Sequence, residues 1–153
     1  MRLHEFSTLD AQTLERIRAW RNHPDIRRWM LNRHEISAEE HLRFVSSLPA
    51  REDRRYFLVE KDGEYIGVID FNDITADSAE LGIYASPELR GMGTPLMEAI
   101  IAYATGTLKI RSLIASVFTG NDRAKHLYEK FDFKEIGRKP ADERELIVME
   151  RLL

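Results

Sequence analysis

Along this chain, apolar and polar residues alternate in short bursts, separated by stretches whose apolar positions fall three or four apart. The first pattern has the period of a strand and the second that of a helix. Leu3 to Phe6 reads as a short opening strand. From Asp10 to Trp20, Leu14, Ile17 and Trp20 sit among charges, as on a surface helix. Arg21-Asn22-His23-Pro24-Asp25 reads as a break. Ile26, Trp29, Met30 and Leu31 then suggest a second, short helical piece. Ser37-Ala38-Glu39-Glu40 is a capping box, which predicts a helix from Ala38 to Leu48 with His41, Leu42, Phe44, Val45 and Leu48 on its apolar face. Pro49 ends it.

Tyr56 to Val59 and Tyr65 to Ile69 are strand-like runs around Asp62-Gly63, a hairpin signal. Ala79 to Ala85 is the next strand, in which Leu81, Ile83 and Ala85 alternate with Gly82 and Tyr84. A turn with two glycines follows, and helical spacing runs from Pro95 to Leu108, with Thr94 as the expected N-cap. Ser112 to Phe118 is β-rich, Asn121-Asp122 caps a helix from Arg123 to Lys130, and Phe133 to Gly137 and Glu145 to Leu152 are the last strands. The order β-αα-β-β-β-α-β-α-β-β is that of a mixed α/β domain.

Composition narrows the function classes. At 153 residues a single domain is expected, and hydrophobic and charged shares of 43% and 32% are those of a water-soluble globular chain. A net charge of -3 offers no footprint for nucleic acid or an anionic membrane. Without cysteine there is no disulfide, no thiolate metal site and no cysteine nucleophile; no metal is expected. No apolar core follows Met1 to Phe6, and Leu96 to Leu108 is too short to cross a bilayer, so a cytoplasmic location is expected.

Leu81 to Met97 carries the chemistry. A glycine turn feeding a helix N-terminus presents unpaired N–H groups and the positive end of the helix dipole, which together form an anion site. The third glycine of a dinucleotide fingerprint and the Gly-Lys-Ser/Thr of a Walker loop are both absent. Glu88-Leu89-Arg90-Gly91-Met92-Gly93 instead resembles the coenzyme A pyrophosphate loop, Gln/Arg-x-x-Gly-x-Gly/Ala, of the GCN5-related N-acetyltransferases, with Glu88 departing from the usual first residue. Asn121 to Phe133 is similar to the same family's Asn-x-x-Ala-x-x-x-Tyr-x-x-x-Gly-Phe segment, with Asp132 in place of glycine. The N-terminal half, through Trp20 to Ile26, Glu40 to Phe44, Tyr56 to Val59 and Ile66 to Phe71, resembles one branch, the acetyltransferases of pseudaminic acid biosynthesis.

The resemblance implies a largely antiparallel mixed sheet flanked by helices and splayed between its fourth and fifth strands. It implies acetyl-CoA as donor, held by Leu89, Arg90, Gly91, Met92, Gly93, Thr94 and Asn121, with backbone N–H groups near Ile83, Tyr84 and Ala85 facing the thioester oxygen. The acceptor it implies is UDP-4-amino-4,6-dideoxy-N-acetyl-β-L-altrosamine, acetylated on its 4-amino group. Tyr128 is the implied general acid: with a reference pKa near 10 it can protonate a thiolate of pKa near 8.5. Lacking cysteine, the chain is expected to use direct attack in a ternary complex. For the base, Glu80 ranks first, with Asp70 and His41 as alternatives. Arg21 is the expected diphosphate partner, and Met30, His41, Phe44, Asp70 and Tyr84 are further acceptor-side candidates. The same scaffold leaves open protein N-termini, polyamines or another amino sugar as acceptor, a non-catalytic coenzyme A-binding module, and a homodimer.

Overall fold

A computed structural model describes all residues from Met1 to Leu153. Seven strands form one sheet, in the order β1-β2-β3-β4-β5-β7-β6. They are β1 (Arg2–Glu5), β2 (Arg55–Lys61), β3 (Glu64–Asn72), β4 (Ser78–Ala85), β5 (Ser112–Phe118), β6 (Lys134–Ala141) and β7 (Arg144–Leu152). Every neighbouring pair is antiparallel except β4 and β5. A parallel pair needs a crossover, supplied here by α4 (Gly93–Tyr103). The other helices are α1 (Ala11–Asn22), α2 (Pro24–Arg27), α3 (Ala38–Ser47) and α5 (Asp122–Lys130).

The two faces of the sheet are covered by different parts of the chain. Leu81, Leu113, Ala115 and Val117 meet Leu96, Met97 and Ile100 of α4 and Tyr128 of α5 in the larger core. Leu58 and Val68 meet Leu14, Ile17 and Trp20 of α1 and Val45 of α3 on the opposite face. Strand alternation sends successive side chains into the two cores, so β4 places Ile83 on the α4–α5 face and Tyr84 on the α1–α3 face.

Local signals account for most boundaries. Asp10 caps α1 by accepting from the Thr13 N–H, and the capping box at Ser37 and Glu40 closes in both directions. Asp62 and Gly63 have φ of 52° and 79°, the left-handed pair that a two-residue hairpin turn requires. The break expected over Arg21–Asp25 falls at His23, which ends α1 and caps α2, with proline at a first helical position that suits it. Two expectations are corrected. Leu42 is exposed at 60%, outside the apolar face of α3. α4 starts at Gly93 with Met92 as N-cap and ends at Tyr103, passing into a π-helical turn over Ala104–Leu108. Thr94 is therefore inside the helix, not its cap; its Oγ1 accepts from Lys130 Nζ at 3.1 Å.

Candidate active site

The parallel pair at the centre of the sheet is only partly zipped. β4 and β5 are paired at Ser78–Ser112, Ala79–Leu113 and Glu80–Ile114, and nowhere beyond. Past that point β4 continues to Ala85 and β5 to Phe118, held by their outer neighbours β3 and β7. The β4 edge facing this gap follows from the register. Ser86 N–H bonds Ile66 O at 2.9 Å, so by alternation Tyr84 and Gly82 also direct their backbone groups toward β3. Ile83 and Ala85 direct theirs into the gap. Of the three expected positions, Tyr84 thus has its N–H committed to the sheet.

The mouth of the gap is the glycine turn. Ser86 holds its start: Leu89 N–H bonds Ser86 O and Glu88 N–H bonds Ser86 Oγ, both at 3.2 Å. Gly91, at φ 74°, bends the chain through a region costly for any side chain, and α4 begins two residues later. The N–H groups of Arg90, Gly91 and Met92 have no acceptor in the protein, and those of Gly93 and Thr94 are the free donors of a helix's first turn. Leu96 N–H closes that turn on Met92 O. A β-carbon at Gly93 would lie 3.1 Å from Leu127 Cδ2, so glycine lets the α4 N-terminus press against α5. Lys130 adds a cation beside it. The charge of Glu88 is offset by Arg16, 3.4 Å away, which also stacks over Trp20 and Tyr65.

α5 carries the candidate acid. Asn121 caps it through Oδ1, which accepts from Ala124 N–H at 3.4 Å and leaves the amide Nδ2 free to donate. Tyr128 is buried, its ring 5.6 Å from that of Phe133. Burial raises its pKa far above an ordinary phenol, and the charges of Asp70 and Glu80 push the same way. It carries its proton throughout the neutral range.

On the α1–α3 face, polar groups gather beside the gap. Glu80 Oε1 accepts from Ser116 Oγ at 3.0 Å, where β4 and β5 last pair. Asp70 lies directly across from Gly82, and its Oδ1 accepts from Asn72 Nδ2 at 2.8 Å. Asn72 Oδ1 in turn accepts from Tyr56 OH at 3.2 Å. Burial raises the Asp70 pKa to about 7, the Glu80 charge adds to this, and the Asn72 bond opposes it. Tyr84 also has its pKa raised, by burial first and then by Asp70. Arg21 donates through Nη2 to Asn32 O at 2.8 Å, while its Nη1 is buried without a partner. Phe44 packs edge-on against Tyr56, with ring centroids 4.8 Å apart.

Two expected residues stand apart from this group. His41 is wedged between α1 and α3 against Phe6, in a hollow lined by Leu14, Glu15 and Ala38. Burial and the nearby Arg18 lower its pKa. Met30 contributes its carbonyl, which accepts from Arg144 Nη2 at 2.9 Å. Asn72, Tyr56 and Ser116 were missed by sequence reasoning. Asn72 was within reach of it, since two residues along a strand share a face with Asp70. Arg144 was not: its tie to the Arg28–Leu31 carbonyls spans more than a hundred residues of chain.

A mixed sheet parted at a central parallel pair, with a glycine bend and a helix N-terminus at its mouth, is an acyl-transferase architecture. The family described as "Acetyltransferase (GNAT) domain" matches residues 1–134, and the chain belongs to it. It is an N-acetyltransferase. Among its relatives, the acetyltransferase PseH of Campylobacter jejuni is 46% identical over 133 residues, covering 87% of this chain and 84% of that protein. The crystal structure of the C. jejuni N-acetyltransferase PseH with acetyl coenzyme A superposes with a TM-score of 0.83 at 36% identity, over 99% of this chain and 97% of that one. A spermidine N-acetyltransferase from Vibrio cholerae, solved with CoA and spermine, gives 0.86 at 23% identity, covering 99% and 94% of the two chains, a likeness of fold alone.

Proposed function

We propose that this chain transfers the acetyl group of acetyl-CoA to the 4-amino group of a UDP-linked 4-amino-4,6-dideoxy sugar, the step expected of a pseudaminic acid acetyltransferase. The observation that carries the acceptor assignment is the 46% identity to PseH over 133 residues. That match is longer than the segment from Arg55 to the C-terminus, so it is not confined to the donor half of the chain.

In this reading the donor pyrophosphate takes the free N–H groups from Arg90 to Thr94, and Leu89 and Met92 line the bend. The pantetheine arm fills the gap between β4 and β5 as an added strand, with Asn121 Nδ2 donating to it. The Ile83 or Ala85 N–H stabilises the oxyanion, a role in which one well-placed donor is worth roughly a hundredfold or more in rate. Tyr128 gives its proton to the departing sulfur. The unpartnered Nη1 of Arg21 takes a phosphate oxygen of the acceptor, and Phe44 and Tyr84 border the sugar and base.

Thiol release from acetyl-CoA against a panel of amines tests the reading. The panel contains a UDP-linked 4-amino sugar, spermidine and N-terminal peptides. Preferred turnover of the nucleotide sugar is expected. Faster turnover of spermidine or a peptide overturns the acceptor assignment, and donor binding with no thiol released by any amine overturns the chemistry.

A further inference from the structure

We infer that Asp70, held by Asn72 and admitted by the missing side chain of Gly82, is the group that takes the proton from the acceptor amine. The inference rests on N-acetyl transfer itself and not on the identity of the sugar.

The geometry begins with the register. Asp70 and Gly82 face each other across β3 and β4. A β-carbon at Gly82 would overlap both carboxylate oxygens of Asp70, so this carboxylate lies over the β4 backbone, the last strand before the gap. Ile83, the next residue, is the first past the β4–β5 pairing whose N–H turns into the opening. The Asp70 carboxylate, reaching from β3 over Gly82, therefore lies one residue along β4 from the candidate oxyanion donor. Glu80 lies two residues further back, at the closed end, with Oε1 engaged by Ser116. Asn72 donates to Oδ1 of Asp70 and is itself fixed by Tyr56, which orients the carboxyl and leaves Oδ2 without a protein donor.

The surroundings suit a proton acceptor at neutral pH. The titratable groups that feel the Asp70 charge are Glu80, Tyr84 and Tyr56, with Tyr128 from α5 across the sheet and Arg54 ahead of β2. Burial and Glu80 raise its pKa, while the Asn72 bond and Arg54 lower it, with a net value of about 7. A base titrating there is ionised in a useful fraction at working pH yet basic enough to accept a proton.

The step balances. The Asp70 carboxylate takes one proton from the acceptor ammonium, and the freed amine pair attacks the thioester carbon. The carbon–sulfur pair departs on sulfur, which takes the Tyr128 proton. The tetrahedral nitrogen sheds its second proton, which restores Tyr128 through water, and Asp70 returns its own to solvent. The net products are amide, free thiol and one proton.

The test is the pH profile of kcat/KM, measured with whichever amine of the panel turns over fastest. The wild-type profile should have an acid limb near pH 7. Asp70→Asn should abolish that limb and lower kcat by about 100-fold or more, with acetyl-CoA affinity unchanged. Glu80→Gln should keep the limb but move it to lower pH, because a neighbouring negative charge is gone. Gly82→Ala, which displaces the carboxylate without removing it, should reproduce the loss of kcat, with circular dichroism confirming the fold. An acid limb that persists in Asp70→Asn, its loss in Glu80→Gln, or full kcat in Gly82→Ala overturns the assignment. Failure of the acceptor reading is a separate result, seen as the wrong amine winning the panel.

Discussion

Three side chains carry measurable expectations. Tyr128→Phe removes the only proton on a phenol that burial keeps neutral, so kcat should drop by about 100-fold or more while acetyl-CoA binds as before. Single-turnover kinetics beside a binding isotherm separates the two; unchanged turnover would remove Tyr128 from the mechanism. Arg21→Ala should raise the KM of the UDP-sugar by roughly ten- to a hundredfold, the worth of one charge-assisted bond, and leave the donor untouched. An equal effect on both substrates would refute its place on the acceptor side. Asp70 also has a signature in stability. Its folded pKa of about 7 lies above the ordinary 3.8, so the fold disfavours its charged form. The penalty is absent below the unfolded value, grows as pH rises between the two, and is complete above about 7. Urea melts should therefore find Asp70→Asn more stable than wild type at pH 8, by on the order of a few kcal/mol, and nearly level at pH 4.

Helix ends and strand edges set the next layer. α4 supplies free N–H groups only because Gly91 turns the chain at φ 74° and Gly93 lets the helix start close to α5. Gly93→Ala puts a methyl 3.1 Å from Leu127 Cδ2, so the Leu127 side chain or the start of α4 must give by a few tenths of an ångström. A several-fold weaker acetyl-CoA dissociation constant is expected by calorimetry, with little change in melting temperature. α3 is held by its capping box at Ser37 and Glu40. Ser37→Ala should cost about 1 kcal/mol of stability and no activity, since the cap lies away from the gap.

The molecule as a whole sets two candidate half-sites on opposite faces of one sheet. The glycine bend and Tyr128 belong with α4 and α5, whereas Asp70, Glu80 and Arg21 lie on the α1–α3 face. Only an opening through the sheet lets both reach one carbon, and the unpaired ends of β4 and β5 supply it. Arg144 ties the C-terminal strands to the segment after α2: from β7 it stacks over Phe118 and donates to the carbonyls of Arg28, Met30 and Leu31. Arg144→Ala should release that segment, raise the acceptor KM and lower the melting temperature, while donor binding holds. Arg144→Lys should rescue little, because one ammonium cannot cover the fork of contacts a guanidinium makes.

Much of this was written locally in the chain. The capping box of α3, the Asp62-Gly63 hairpin, the glycine bend and the Asn121 cap each depend on residues within a few positions of one another, so short-range spacing was enough to find them. Tyr128 entered as a candidate by another route, through its segment's likeness to a known pattern. What the spacing left unsettled was every relation between distant strands. That Gly82 faces Asp70, that Tyr84 turns its N–H away from the gap while Ile83 does not, and that His41 is wedged against Phe6 all follow from register and helix docking. A shift of one residue in pairing would exchange the faces and reverse the first two. No local pattern encodes that choice, because it is made by the two cores that the sheet must bury at once.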